Sequence, residues 1–404
     1  MKIFFSVGEP SGDLHGANLV RSLHKQYQGV RCVGYGGPRM EAEGCELHED
    51  LTRYALMGFL PVIGKLPMFY RLMKRAEKYF QDDPPDAVVL IDYPGFNWWI
   101  ARKAKQRGIP VFYYGVPQIW AWASWRVSKM RRLVDHVLCK LPFEKEWYEE
   151  RGCKATYVGH PYFDELNERQ LDQGFLDQQA VRPGRLVTIL PGSRRREVAR
   201  QLPTFLKAAL QVREQLEDVR FSIASFNTEQ AEMARQFVEQ AGVEVEIHVD
   251  KTGELIKACH CAMACSGSVS LELMYHKKPA TILYKVNYFQ QMLTRFLGRV
   301  RYMTLVNLLA SEKRFDWLGQ NYDPEVLEGA EVPLPEYPTR RDKSAAIAAH
   351  LVRWLEDDRR HRQTVDWLHA LSEKYAIPGA THRAAQYIIE ELDQDSCGAR
   401  PEAA

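Results

Sequence analysis

Four short stretches put acids, hydroxyls or arginines directly behind apolar runs, where a chain turns and can hold a small anion or a reacting hydroxyl. In "ILPGSRRREV" (189–198) the turn Pro191-Gly192-Ser193 leads into Arg194, Arg195, Arg196 and the carboxylate of Glu197. Small turn residues let a ligand approach backbone amides, and a guanidinium adds aligned donors for a phosphate. A nucleic-acid backbone, a membrane surface or one phosphorylated ligand would all suit such a turn. In "CSGSVSLELMYHKKP" (265–279), Ser266, Gly267 and Ser268 could offer amides and hydroxyls to phosphate at a helix start. Glu272, four residues on, could accept two hydrogen bonds from a ribose diol, and an ordinary helix cap accounts for the same residues.

Two acidic turns lie nearer the N-terminus. In "VLIDYPGFNWW" (89–99), Asp92 follows the apolar run "AVVLI" and precedes Pro94-Gly95. Its carboxylate could act as a general base, with Asn97 orienting a polar group. A turn-stabilising aspartate is the competing reading. "GEPSGDLHG" (8–16) sets Glu9 and Asp13 among Ser11, Gly12 and Gly16, as a helix cap or as a place of close ligand approach. It has neither the Lys-Ser/Thr ending of a phosphate-binding P-loop nor the GxGxxG spacing of a dinucleotide site.

Three further patterns are less specific. "YYGVPQIWAWASWRVSKMRRLVD" (113–135) mixes aromatics with Arg126, Lys129 and Arg132 at helical spacing. A packed core with a solvated face, an anionic-substrate surface and a single-strand platform all fit it. Residues 56–75, "LMGFLPVIGKLPMFYRLMKR", are apolar and aromatic with a basic end. Pro61, Gly64 and Pro67 make that stretch poor material for a regular spanning helix, and it suits an interfacial element, an acyl-chain groove or plain packing. "CHCAMAC" tempts a metal assignment, but adjacent thiols and an imidazole on one apolar segment cannot all face one ion, so buried cysteines are the better account.

The elements that must position these groups follow from the wider pattern. A chain of 404 residues exceeds the usual size of a single core, so two domains are expected. With 54 basic and 52 acidic side chains, extensive nonspecific nucleic-acid binding is excluded as a default. The eight cysteines show no repeated CxxC spacing, which favours a reduced, cytoplasmic compartment. "KIFFSV" reads as a buried strand, since Gly8 and Glu9 arrive too soon for a signal peptide. Short apolar runs alternate with helical periods in two series, which implies parallel sheets covered on both faces with ligands at the strands' carboxyl ends. The polar "NERQLDQGFLDQQAVRPGR" between the series reads as a linker. The tail carries helix-like pieces at about 341–374 and 380–393, which could finish the second domain, cross back to the first or reach a partner subunit.

Taken together, "GEPSGDLHGANL", "VGYGGPRMEAEG", "LIDYPGFN", "FYYGVPQIWAW", "LPFEKEWYEERG", "YVGHPYFDEL", "ILPGSRRREV", "SGSVSLE", "YKVNYF" and "VNLLA", in this order, resemble the lipid-A-disaccharide synthases over nearly the whole chain. The resemblance implies an α/β glycosyltransferase-B fold, with two facing Rossmann-like domains and C-terminal crossover helices. It implies an acceptor or acyl-sugar domain at 1–178, a UDP-binding domain at 179–350, and helices at 351–404 that cross to the first domain or exchange in a homodimer. The implied reaction is inverting transfer of diacylglucosamine from UDP-2,3-diacylglucosamine to the 6-hydroxyl of 2,3-diacylglucosamine 1-phosphate (lipid X). Members work in the cytoplasm, peripherally at the inner membrane of Gram-negative bacteria.

By the same resemblance, Asp92 is the expected base, and Glu9 and Arg194 are also assigned to catalysis. Gly192, Ser193, Arg194, Ser266, Gly267, Ser268, Glu272 and Asn307 fall to UDP. Ser11, Gly12, Asp13, Asn97, Gln118, Trp120, Met57, Phe59, Phe69 and Arg71 fall to the acceptor or acyl sugar. No cofactor or obligatory metal is expected, the UDP-sugar being a substrate, and no nucleic-acid partner. Two positions depart from the family pattern: Gly95 stands where relatives often carry a second aspartate, and Val306 where a proline usually precedes Asn307. Another UDP-sugar transferase or epimerase, or a nonenzymatic UDP- or membrane-binding protein, would share parts of this pattern.

Overall fold

A computed structural model describes residues 1–54, 60–316, 324 and 332–398. Met57 and Phe59 lie outside the described residues. The chain divides into two units, Met1–Asn167 with Ile377–Ala404, and Glu168–Ala376. Each is built on a parallel sheet flanked by helices, and together with the C-terminal helices this is a glycosyltransferase-B architecture of two Rossmann-like units.

The first unit contains β1 (Lys2–Val7), β2 (Arg31–Gly36), β3 (Glu46–Asp50), β4 (Ala87–Ile91), β5 (Val111–Tyr114), β6 (His136–Cys139) and β7 (Ala155–Tyr157). Their order is β3-β2-β1-β4-β5-β6-β7, so the order reverses beside β1. β1 pairs in parallel with both β2 and β4, matching Phe5 to Gly34 and Val7 to Ile91. The strands β4 and β5 are buried along their whole length, as covering both faces requires.

Helix α1 (Pro10–Gln26) begins directly after β1, with Pro10 in its first turn, where a missing N–H costs nothing. Asp13 is buried on this helix, and its carboxylate accepts from the amides of Gly37 (2.9 Å), Arg39 (3.1 Å) and Met40 (3.1 Å). It thereby caps α2 (Pro38–Ala42) from a neighbouring element. Helix α3 (Leu60–Asp82) runs straight through the proline-bearing segment, with Pro61 in its first turn and Pro67 inside. The prolines argued against a regular spanning helix, and the helix that forms is not long and apolar enough to cross a membrane; the exposed Pro67 removes only one i to i−4 bond from it.

In the second unit β8 (Arg185–Leu190), β9 (Val219–Ser225), β10 (Glu246–Val249), β11 (Cys261–Cys265), β12 (Ala280–Lys285) and β13 (Glu336–Thr339) are ordered β10-β9-β8-β11-β12-β13, all parallel. The polar stretch read as a linker contains the helix Gln173–Ala180, whose Asp172 accepts from the Phe175 amide at 3.0 Å. The cysteines of "CHCAMAC" lie in the core: burial pushes the Cys265 thiol up to about 12 and the Cys261 thiol well above its ordinary value. His260 instead stacks on His361 at 3.8 Å and reaches the Trp354 carbonyl at 2.9 Å.

The first tail piece is two helices, Ser344–Glu356 and Asp358–Tyr375, because Asp357 turns extended and caps the second through the amides of Arg359 and Arg360. Both belong to the second unit, and the chain then returns to the first. There the helix Ala380–Gly398 packs on α1, adding Ala384, Ala385, Ile388 and Leu392 to the core of α1 and β1. Burying Ile388 and Leu392 contributes about 1.5–3 kcal/mol each. Its start is held by Asp164, whose carboxylate accepts from the amides of Gly379 (2.6 Å), Ala380 (3.1 Å) and Thr381 (2.8 Å). Asp164→Ala should therefore lower the stability of the first unit by about 1–3 kcal/mol, measured as a shift in urea midpoint, with Asp164→Asn intermediate.

Candidate functional site

Because β8 and β11 are adjacent and parallel, the turns that follow them emerge side by side. They form a pocket of about 270 Å³ whose lining includes Gly192, Ser193 and Arg194 from one turn and Ser266, Gly267 and Ser268 from the other, with Ala224 and Phe226 at the end of β9. Gly192 has φ of +116°, and a Cβ there would meet the Glu197 Cβ at 2.6 Å, so only glycine fits. Arg194 stands at the start of the helix Arg195–Arg213.

The donors of this turn are engaged by the chain's own Glu197. One carboxylate oxygen accepts from the amides of Ser193 and Arg194 at 3.2 Å each, and the other from the Arg194 guanidinium at 3.2 Å. The arginine run is divided: Arg194 lines the pocket, whereas Arg195 pairs with Glu229 at 2.7 Å on the surface, a contact worth little. Glu272 does not line the pocket; it is buried, and Arg169 reaches its carboxylate at 2.6 Å. Asn307 is also buried, with its amide donating to the Leu334 carbonyl (2.7 Å) and to Glu336 (2.9 Å). Val306 occupies the first turn of the helix Leu305–Ala310, where a backbone N–H has no helical acceptor, so valine and proline both suit the position.

In the first unit, Asp92 directly follows β4 with φ of +45°, and Tyr93 comes next with φ of +44°. Successive left-handed residues other than glycine cost about 1–2 kcal/mol each, so the surroundings must impose them. The amide of Asn97 (2.8 Å) and the hydroxyl of Tyr113 (2.7 Å) both donate to the Asp92 backbone carbonyl. Asn97 is in turn fixed by the Ser6 hydroxyl, which donates to it at 2.6 Å in the buried core. Gly8 admits the Tyr93 ring, which would lie 2.4 Å from any Cβ.

The Asp92 carboxylate faces two glycines, with one oxygen 3.9 Å from where a Gly12 Cβ would stand and the other 3.5 Å from a Gly115 Cβ. Lys140 approaches to 3.9 Å, and the Asp92 side chain retains 24 % exposure. Burial raises its pKa above the ordinary 3.8, and Lys140 partly offsets the rise. Around Lys140 the imidazoles are neutral: burial, reinforced by Lys140, lowers His15 to about 3 against an opposing effect of Asp164, and holds His160 well below 6.5.

Not every acceptor-side candidate reaches this carboxylate. Trp120 is buried, donating its indole N–H to Glu144 at 2.9 Å, and Asp13 caps α2. Glu9, Ser11 and Gln118 are exposed at helix starts. Phe69 on α3 stacks obliquely 6.2 Å from the Tyr93 ring, and Arg71 is exposed on the same helix. Sequence reasoning passed over Lys140, His15 and His160. Lys140 follows the apolar strand "VLC" just as Asp92 follows "AVVLI", which was the available cue. Gly95 is exposed, with nothing within 4 Å of its would-be Cβ, so the position has room for an aspartate.

The described residues supply no group of three or more His, Cys, Asp or Glu placed to hold a metal ion. The same fold is found in a solved UDP-N-acetylglucosamine 2-epimerase assignment from Listeria monocytogenes, at a TM-score of 0.63 with 13 % identity over 97 % of both chains. Sequence comparison is more specific. The family model for lipid-A-disaccharide synthetase matches residues 3–364. The lipid-A-disaccharide synthase of Syntrophus aciditrophicus is 34 % identical over 98 % of this chain and 99 % of its own length. That of Geobacter sulfurreducens is 32 % identical over 97 % of each. A match that runs through both sheets and both sets of turns leaves one conclusion: the chain belongs to the lipid-A-disaccharide synthase family.

Proposed function

We infer that this enzyme transfers the diacylglucosaminyl group of UDP-2,3-diacylglucosamine to the 6-hydroxyl of 2,3-diacylglucosamine 1-phosphate, giving a β-1,6-linked disaccharide 1-phosphate and UDP. The observation that carries the reading is the family match across residues 3–364. The acceptor oxygen bonds to the anomeric carbon while the bond from that carbon to the UDP phosphate oxygen breaks on the opposite face, so configuration inverts. Asp92 takes the hydroxyl proton. Burial raises its pKa, which strengthens the ionised carboxylate as a base.

Charge develops on the departing diphosphate. Arg194 and the amides of Ser193 and of the 266–268 turn supply donors for it, in a pocket of suitable size. Binding the diphosphate exchanges the Glu197 carboxylate for a phosphate oxygen at the Ser193 and Arg194 amides. Glu272, oriented by Arg169, is assigned to the ribose, and Asn307 ties its own helix to Leu334 and Glu336. Among the described residues no helix is long and apolar enough to cross a membrane. The exposed Leu66, Tyr70 and Arg71 of α3 support contact with the acyl chains and phosphate of membrane-borne substrates.

Purified protein given both lipid substrates in detergent should release disaccharide phosphate and UDP in equal amounts; folded protein that yields no disaccharide rejects the reaction. Asp92→Asn should cut turnover about 10²- to 10⁴-fold while leaving UDP affinity nearly unchanged, measured by product formation and calorimetry. Asparagine tolerates the left-handed backbone at this position. A carboxyl whose pKa rises on folding contributes stability fully below its unfolded-state pKa and loses it as pH rises through the native one. At neutral pH the variant should therefore be at least as stable as the parent. The kcat/KM of the parent should rise with pH through a limb above 3.8 that Asp92→Asn lacks. Arg194→Ala should weaken UDP binding by about tenfold or more in calorimetry, whereas Glu197→Gln, which removes the competing charge, should tighten it.

A further inference from the structure

Among the described residues, the most concentrated apolar exposure is on the helix Tyr288–Leu297 of the second unit. Tyr288, Phe289, Met292, Leu293 and Phe296 are 67, 63, 40, 41 and 69 % exposed. Positions i, i+1, i+4, i+5 and i+8 fall on one side of a helix, within about 140° of its circumference. The helix is well started: Asn287 and Gln290 cap each other, the Gln290 amide donating to the Asn287 side chain at 2.7 Å and the Asn287 amide to the Gln290 side chain at 2.9 Å. Such capping fixes the apolar face in a formed helix rather than in a fraying loop.

Charge selects what this face meets. From Lys285 to Arg301 the chain carries Lys285, Arg295, Arg299 and Arg301 and no acid. Arg340, just beyond β13, adds its guanidinium over the Tyr288 ring at 5.2 Å. Aromatic and aliphatic side chains rimmed by cations suit the boundary between acyl chains and anionic headgroups. The helix follows β12 and so stands at the carboxyl edge of the sheet, the edge that carries the phosphate pocket. Contact there would bring a membrane surface to the side of this unit that receives a lipid-linked nucleotide.

We propose that the helix Tyr288–Leu297 is a membrane-docking face of the second unit, seated in the interface of an anionic lipid bilayer through Phe289, Met292, Leu293 and Phe296. This rests on reading the substrates as membrane-borne lipids, and it adds a contact distinct from α3 in the first unit. Its cations hold headgroup phosphates while the rings enter the acyl boundary.

The test is co-sedimentation of the full chain with vesicles of phosphatidylcholine alone or mixed with phosphatidylglycerol, with no sugar substrate present. The double variant Phe289→Ser, Phe296→Ser should partition about tenfold less onto the mixed vesicles, with UDP affinity and melting temperature unchanged. Arg299→Glu should weaken binding to the mixed vesicles and leave binding to phosphatidylcholine alone as it was. Equal partition of the double variant and the parent overturns the proposal. So does a parent dimer that the double variant dissociates with vesicle binding intact, since the face is then a subunit contact. Disaccharide synthesis in detergent is scored separately, so a lost docking face and a wrong reaction give different results.

Discussion

Every strand pairing in both sheets is parallel, and this constraint organises the rest of the structure. Parallel neighbours need a crossover between them, which covers both faces with helices and gathers the turns after the strands at one edge. Helix N-termini arrive at that same edge with their unpaired amides. The turns at 191–194 and 266–268 meet for this reason, although more than seventy residues of sequence separate them. Asp92, Gly115 and Lys140 likewise meet because they follow β4, β5 and β6.

Within that frame, the backbone at Asp92 is set by polar contacts that hold an unfavourable state. Asp92 and Tyr93 take left-handed backbone angles because Asn97 and Tyr113 hold the Asp92 carbonyl and Ser6 holds Asn97. Low-dielectric surroundings make those hydrogen bonds costly to break, so the strain persists. The turn at 191–194 is held by exposed hydrogen bonds instead. Glu197 satisfies amides that would otherwise be orphaned at a helix start.

Some of this was open to reading in the sequence. Asp92 and Arg194 stand out because each directly follows an apolar strand and a turn, and local chemistry is enough to notice them. Asp13 and Trp120 look equally functional in sequence, yet one caps α2 and the other donates to Glu144. Their partners are at least twenty-four residues away, and no local pattern carries that pairing. His15 and His160 gave no cue, because their neutrality comes from burial beside Lys140.

The alternation of strand and helix and the two-unit organisation were legible in the sequence by itself, since both rest on side-chain order and periodicity, and the family was legible in the order of its motifs. Only the tertiary structure decided that Ala380–Gly398 packs on α1, that Asp164 caps it, and that Glu197 holds the Arg194 turn. It alone decided that five apolar side chains of Tyr288–Leu297 stay uncovered. Periodicity says which face of a helix is apolar, but what covers that face depends on residues brought near by the fold, and those distances are absent from a linear string.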